Sequence, residues 1–140
     1  YGMIIVLDSN VLFSALIRDS LTRRIILKSN EQFLFPEFIF EEFQKHKDEL
    51  FKKSKMTTYN FDKLVELLVG KVHIIPTEKI KPFKEDAYNI VKNIDPDDTI
   101  FIACCLAYQN SILWSDDKKL KNQNGVLVYN TNEMKKLLST

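Results

Sequence analysis

Five short apolar runs punctuate the chain: "MIIVL" (3–7), "QFLFP" (32–36), "VHIIP" (72–76), "SILWS" (111–115) and "VLVYN" (126–130). Each is continuous rather than alternating and rich in branched or aromatic residues, the pattern of strands covered on both faces. Between most of them, apolar residues recur at helical spacing, which predicts helices over about 10–18, 20–29, 37–53, 58–70, 83–93, 98–109 and 131–138. Strands alternating with helices imply an α/β fold, a three-layer α/β/α sandwich around a mainly parallel sheet of about five strands. The most loop-like polar stretch is "KKSKMTTYN" (52–60), too short to link two domains.

Length adds that 3–140 is one domain, since a chain of 140 residues with 45% hydrophobic content fits a single core. Tyr1 and Gly2 precede a methionine and read as an appended remnant. The 20 Lys+Arg nearly cancel the 19 Asp+Glu, so any nucleic-acid partner must be held by a local patch rather than by the overall field. No stretch of roughly 18 uncharged apolar residues predicts a membrane span, and no secretory signal pattern opens the chain. The only cysteines, Cys104 and Cys105, are adjacent in a predicted helix where they point apart. They read as buried reduced thiols and, with the missing signal, predict a cytoplasmic protein.

The candidate chemistry lies in acids placed just after the predicted strands. In an open parallel sheet every strand delivers its next residues to the same edge, where ligands bind. Asp8 follows the first strand, and Asp116 and Asp117 follow the fourth. Asp97 and Asp98 open the helix before the fourth strand, while Glu41 and Glu42 lie one turn into the helix after the second. Taken singly, each has an ordinary structural use: Asp8 and Asp95 as helix N-caps, "DPDD" (95–98) as helix-start chemistry with Pro96 in the first turn, "SDDKK" (115–119) as a polar turn.

Helical geometry separates the glutamates. At roughly 100° per residue, Phe38, Ile39, Phe40, Phe43, Leu50 and Phe51 define an apolar face from which Glu42 lies about 90° away and Glu41 nearly opposite. Glu41 reads as solvent-facing with Lys45 as its partner, and Glu42 as bordering the buried side, where a carboxylate needs a cation. Three or four carboxylates in one cleft repel unless a divalent ion neutralises them, and oxygen-only donors suit Mg²⁺ or Mn²⁺. Zinc does not fit, because His46 and His73 stand apart and the cysteines sit in an apolar helix. A hard-metal acid cluster with no serine, cysteine or histidine nucleophile points to hydrolysis by metal-activated water, typically of phosphodiesters.

At this point the residues resemble a known family. "IIVLDSNVLFSAL" (4–16), "PEFIFEEFQKH" (36–46), "DPDDTIFIACCLA" (95–107) and "LWSDDKKL" (113–120) look like the four acidic motifs of PIN domains, in the family's order and spacing and across essentially the whole chain. The resemblance implies an α/β/α sandwich and a metal-dependent ribonuclease, a class that includes the VapC-type toxins of prokaryotic toxin–antitoxin pairs. Carried over by position, it implies that Asp8, Glu42, Asp98 and Asp117 are the catalytic and metal-binding acids around one or two Mg²⁺ or Mn²⁺ ions. Asp97 and Asp116 are extra acids beside them. Asn10 and Ser115 are then supporting hydrogen-bond partners, and Lys118, Lys119 and Lys121 the residues placed to meet RNA phosphates. Expected partners are RNA, an antitoxin protein and a second copy of the chain.

Two other readings compete. A phosphatase of the haloacid dehalogenase class also opens on an apolar strand ending in Asp, but needs a second Asp two residues on, where this chain has Asn10. A non-catalytic PIN-like RNA-binding or scaffold module usually lacks one or more of the acids, whereas all four stand here.

Overall fold

The computed structural model describes residues 2–138. Tyr1, read as an appended remnant, and Ser139 and Thr140 at the end of the expected domain lie outside the described residues. Five strands, β1 (Ile4–Leu7), β2 (Gln32–Pro36), β3 (Val72–Ile75), β4 (Ile112–Trp114) and β5 (Leu127–Tyr129), form one sheet in the order β3-β2-β1-β4-β5. Every neighbouring pair is parallel. The helices are α1 (Ser9–Ile17), α2 (Leu21–Lys28), α3 (Ile39–Ser54), α4 (Thr58–Lys71), α5 (Thr77–Ile80), α6 (Lys84–Val91), α7 (Thr99–Ala107) and α8 (Thr131–Leu138).

The apolar runs become strands because parallel strands covered by helices need no polar face. Ile5, Val6, Leu7, Phe33, Phe35, Leu113 and Trp114 are buried, and α7 presses five consecutive buried residues, Phe101 to Cys105, onto β1, β2 and β4. Cys104 and Cys105 are free, as expected, and burial pushes the Cys104 thiol up to about 12. Coverage is weakest at the sheet edges, where His73 on β3 and Leu127 on β5 are exposed.

Three details depart from the periodicity reading. The polar stretch 52–60 is mostly helix: α3 runs to Ser54, Lys55 turns the chain in the left-handed region (φ 57°), and α4 starts at Thr58 behind a Thr57 cap. A short α5 and a 3₁₀ turn over Lys81–Phe83 precede α6, with too few residues to show a period. The helix expected at 98–109 starts at Thr99, after a 3₁₀ turn over Pro96–Asp98. No helix among the described residues is long and apolar enough to cross a membrane.

The topology fixes where a ligand could sit. From β1 the chain winds outward through β2 to β3, then crosses back to β4 and winds outward to β5. The connections leaving β1 and β4 therefore part in opposite directions and open a crevice at the carboxyl ends of these two adjacent strands, the usual ligand position in open α/β sheets.

Candidate active site

Asp8 stands at the end of β1 and Ser115–Asp117 at the end of β4, on the two sides of that crevice. The pairing that aligns Leu7 with Trp114, and the Asp8 N–H donated to the Trp114 carbonyl at 3.2 Å, hold the two strand ends together. Asp8 is 5% exposed and accepts the Val11 N–H at 2.8 Å, so it caps α1 while it faces the crevice. Burial raises its pKa; the Ser115 hydroxyl and the Val11 N–H oppose that shift, and Asp116 and Asp117 add to it.

Asp95, Asp98 and Asp117 bring carboxylate oxygens within 4.8 Å of one another, all half-buried. Asp98 is pushed up to about 7, first by burial, then by repulsion from Asp95, Asp8 and Asp117 and by its hydrogen bond with Asp117. Asp95 is raised for the same leading reason, and it too shares a hydrogen bond with Asp117. Asp117 is held from both sides, its N–H donating to Ser115 Oγ at 3.1 Å and its Oδ1 accepting the Lys119 N–H at 3.0 Å. Ser115, 1% exposed, is thus a small hub joining Asp8 to Asp117.

On the other side, a cleft of about 450 Å³ opens between α1 and α3. Asp8, Asn10, Glu42, Asp97 and Asp98 line it, so three of the four acidic motifs meet around one opening, and the fourth lies behind it with Asp117 against Asp98. Glu42 is half-buried and Glu41 exposed, as the helical geometry requires.

Several candidates sit elsewhere or in other contacts. Asp116 turns away from the cluster: its Oδ1 accepts the Thr131 N–H and its Oδ2 the Thr131 hydroxyl, both at 2.7 Å. Lys121 is tied to the Val128 carbonyl at 2.9 Å and to Glu133, away from the acids. Lys118 and Lys119 are exposed beside Asp117, and the Lys119 charge opposes the upward shift of Asp95. Asp97 is exposed at the cleft rim. His73 lies on the edge strand β3.

Two residues outside the set of acids picked by motif spacing belong to this geometry. Asp95 does cap its turn, accepting the Asp97 N–H at 3.3 Å, yet it is also one of the three clustered carboxylates. His46 does not stand apart; it lines the cleft with its Nε2 3.4 Å from Glu42 Oε2. The i,i+4 spacing of Glu42 and His46 was the available signal.

Fold and site together define a class: parallel α/β proteins with a cluster of carboxylates at the strand switch point. The PIN domain family profile matches residues 6–139, and the chain belongs to this family, whose members are generally nucleases. Among solved structures it is similar to one described as the crystal structure of VapBC2 from Rickettsia felis bound to a DNA fragment from their promoter. That similarity has a TM-score of 0.66 at 16% identity, covering 91% of this chain and 98% of the other. At that identity the likeness concerns the fold. No curated protein gives a significant match.

Proposed function

We propose that this protein is a metal-dependent ribonuclease that hydrolyses RNA phosphodiester bonds, and that it is the toxin of a toxin–antitoxin pair. The observation that carries the activity is the packing of Asp95, Asp98 and Asp117 within 4.8 Å of one another, with the buried Asp8 beside them. So many carboxylates cost free energy together unless a cation compensates them, and an all-oxygen donor set fits Mg²⁺ or Mn²⁺. In this reading Asp8, Asp98 and Asp117 hold one or two such ions, with Asp95 as an additional donor. A bound divalent ion supplies Lewis-acid polarisation of the phosphodiester and makes a nearby water more acidic.

The chain's own residues do the positioning. Glu42 lines the cleft from α3 together with Asp8 and with Asp98 just ahead of α7, and either completes a second ion position or orients the attacking water. Ser115 fixes Asp8 and Asp117 relative to each other, and Asn10 stands at the cleft rim two residues after Asp8. Lys118 and Lys119, exposed beside Asp117, would meet substrate phosphates there. The test is cleavage of a defined RNA with Mg²⁺ or Mn²⁺, with EDTA and Asp8→Asn as controls. Metal-dependent cleavage that Asp8→Asn abolishes is expected; equal cleavage by the variant would place the activity outside this site and sink the proposal, and no cleavage by the wild type would leave the non-catalytic RNA-binding module as the reading to pursue.

An apolar trough supports the partner half of the proposal. It encloses about 260 Å³ between α1, α3, α4 and β3, and Phe40 and Val69 are exposed along it. Phe13 lines both this trough and the acid cleft, so a protein segment seated there lies next to the acids. Co-expression with the product of a small reading frame adjoining its gene, where one is found, should give a stable complex in which RNA cleavage is suppressed. A second copy of the chain is the competing occupant, and a dimeric mass for the protein alone would favour it.

A further inference from the structure

Glu42 and His46 stand one turn apart on α3, so they share a helix face, and that face borders the acid cleft. Their side chains meet at 3.4 Å between Oε2 and Nε2, with 31% of the glutamate side chain and 47% of the histidine side chain exposed. The imidazole also meets a side chain of the opposite helix: its ring centroid lies 6.0 Å from that of Phe13 on α1, the planes inclined at 57°. A freely solvated pair would gain little from such a contact, because holding two mobile side chains costs entropy. Here Phe13 on α1 gives the ring a second contact besides Glu42.

A carboxylate that must act at a defined point is worth more when its rotamer is fixed by a neighbour than when it samples several. We propose that His46 is a positioning residue for the nuclease reaction. It engages Oε2 of Glu42 and leaves the other carboxylate oxygen available to the cleft. The inference rests on the nuclease reading and on Glu42 acting within it. A separation of 3.4 Å is longer than a charge-assisted hydrogen bond, and such contacts often shorten only in the loaded enzyme.

The experiment compares the whole chain with His46→Ala, His46→Gln, Glu42→Gln, the His46→Ala/Glu42→Gln double variant and Asp98→Asn, on a defined single-stranded RNA with Mn²⁺. His46→Ala should lower kcat about tenfold, within the range for residues that orient ligating groups, with KM little changed. The double variant should be no slower than Glu42→Gln alone, and His46→Gln should recover most of the rate, because its amide can still donate to Glu42. Independently of activity, the side-chain ¹⁵N resonance of His46 Nε2 should move in Glu42→Gln and stay put in Glu41→Gln. Multiplicative losses in the double variant, a His46→Gln as slow as His46→Ala, or an Nε2 resonance indifferent to Glu42→Gln would each overturn the positioning role. If Asp98→Asn cleaves as the wild type does, the nuclease reading fails and this inference falls with it. If Asp98→Asn is inactive while His46→Ala is fully active, only the role of His46 falls.

Discussion

The turn after Trp114 sends two adjacent carboxylates in different directions, Asp116 to the start of α8 and Asp117 to the acid cluster. Asp116→Ala should therefore cost about 1 kcal/mol of stability, the usual worth of a helix cap, and change Mn²⁺ binding far less than the loss of Asp117 does, because its charge reaches Asp8 but its oxygens face Thr131. Asp117→Asn should leave the cap intact and weaken Mn²⁺ binding by more than about 100-fold, beyond what outer-shell partners contribute. Chemical denaturation and Mn²⁺ titration of the two variants separate these outcomes. Motif spacing singles out Asp117 of the pair, but the partner of Asp116 lies on another element, out of reach of any local pattern. Asp95 is hidden for a different reason. Its capping bond is real, and a carboxylate that caps a turn looks the same in sequence whether or not its other oxygen faces a cluster.

Asp98 gives the residue scale a pH dependence. Its ordinary value of 3.8 is raised to about 7 in the folded protein, so the native state binds the proton more tightly than the unfolded chain does. The resulting stability is complete at pH below the unfolded value and is lost as pH rises through the folded one. Asp8 and Asp95 shift in the same direction. Without a divalent ion, the melting temperature should fall as pH rises from about 4 to about 7. Saturating Mg²⁺ should reverse that fall at pH 8, and Asp98→Asn should flatten it. A melting temperature that climbs with pH across this window in EDTA would contradict the crowding of the acids.

At the scale of elements, α8 and the 3₁₀ segment Lys118–Asn122 divide the three candidate lysines. Asn130 and Glu133 exchange backbone bonds, the Glu133 N–H donating to Asn130 Oδ1 at 2.8 Å and the Asn130 N–H to Glu133 Oε1 at 2.9 Å, so α8 opens on a closed capping pair. Lys121 joins this assembly through Glu133 and the Val128 carbonyl. Replacing Lys118 and Lys119 by Ala should reduce the slope of log affinity against log salt for single-stranded RNA by about 0.7 for each phosphate no longer neutralised. Lys121→Ala should leave that slope unchanged and lower stability instead. The charge pattern "DDKKLK" does not distinguish the three, because the groups that occupy Lys121 come from β5 and α8.

For the molecule as a whole, the apolar runs are enough to place five parallel strands, since a run without alternation has few other homes in a small α/β protein. Strand order is not written in any run. It follows from how the connections pack, and it alone makes β1 and β4 neighbours, which sets Asp8 beside Asp117 from opposite ends of the chain. The acids can be placed on a shared edge from sequence, but the crevice between β1 and β4 needs the fold. The trough between α1, α3 and α4 is equally out of reach, because it depends on three helices meeting.

Trp114 is the single tryptophan of the chain, fully buried on β4, and its Nε1 donates to the Thr131 hydroxyl at 3.0 Å. The same hydroxyl donates to Asp116, so the indole, the last helix and the turn beside the acid cluster share one atom. The protein therefore carries its own optical gauge of that junction. Its emission should be blue-shifted in the native state and move to the red in one step as the chain unfolds. Thr131→Val should alter the native spectrum before it alters the secondary structure, and undocking of the final helix becomes visible without any added label.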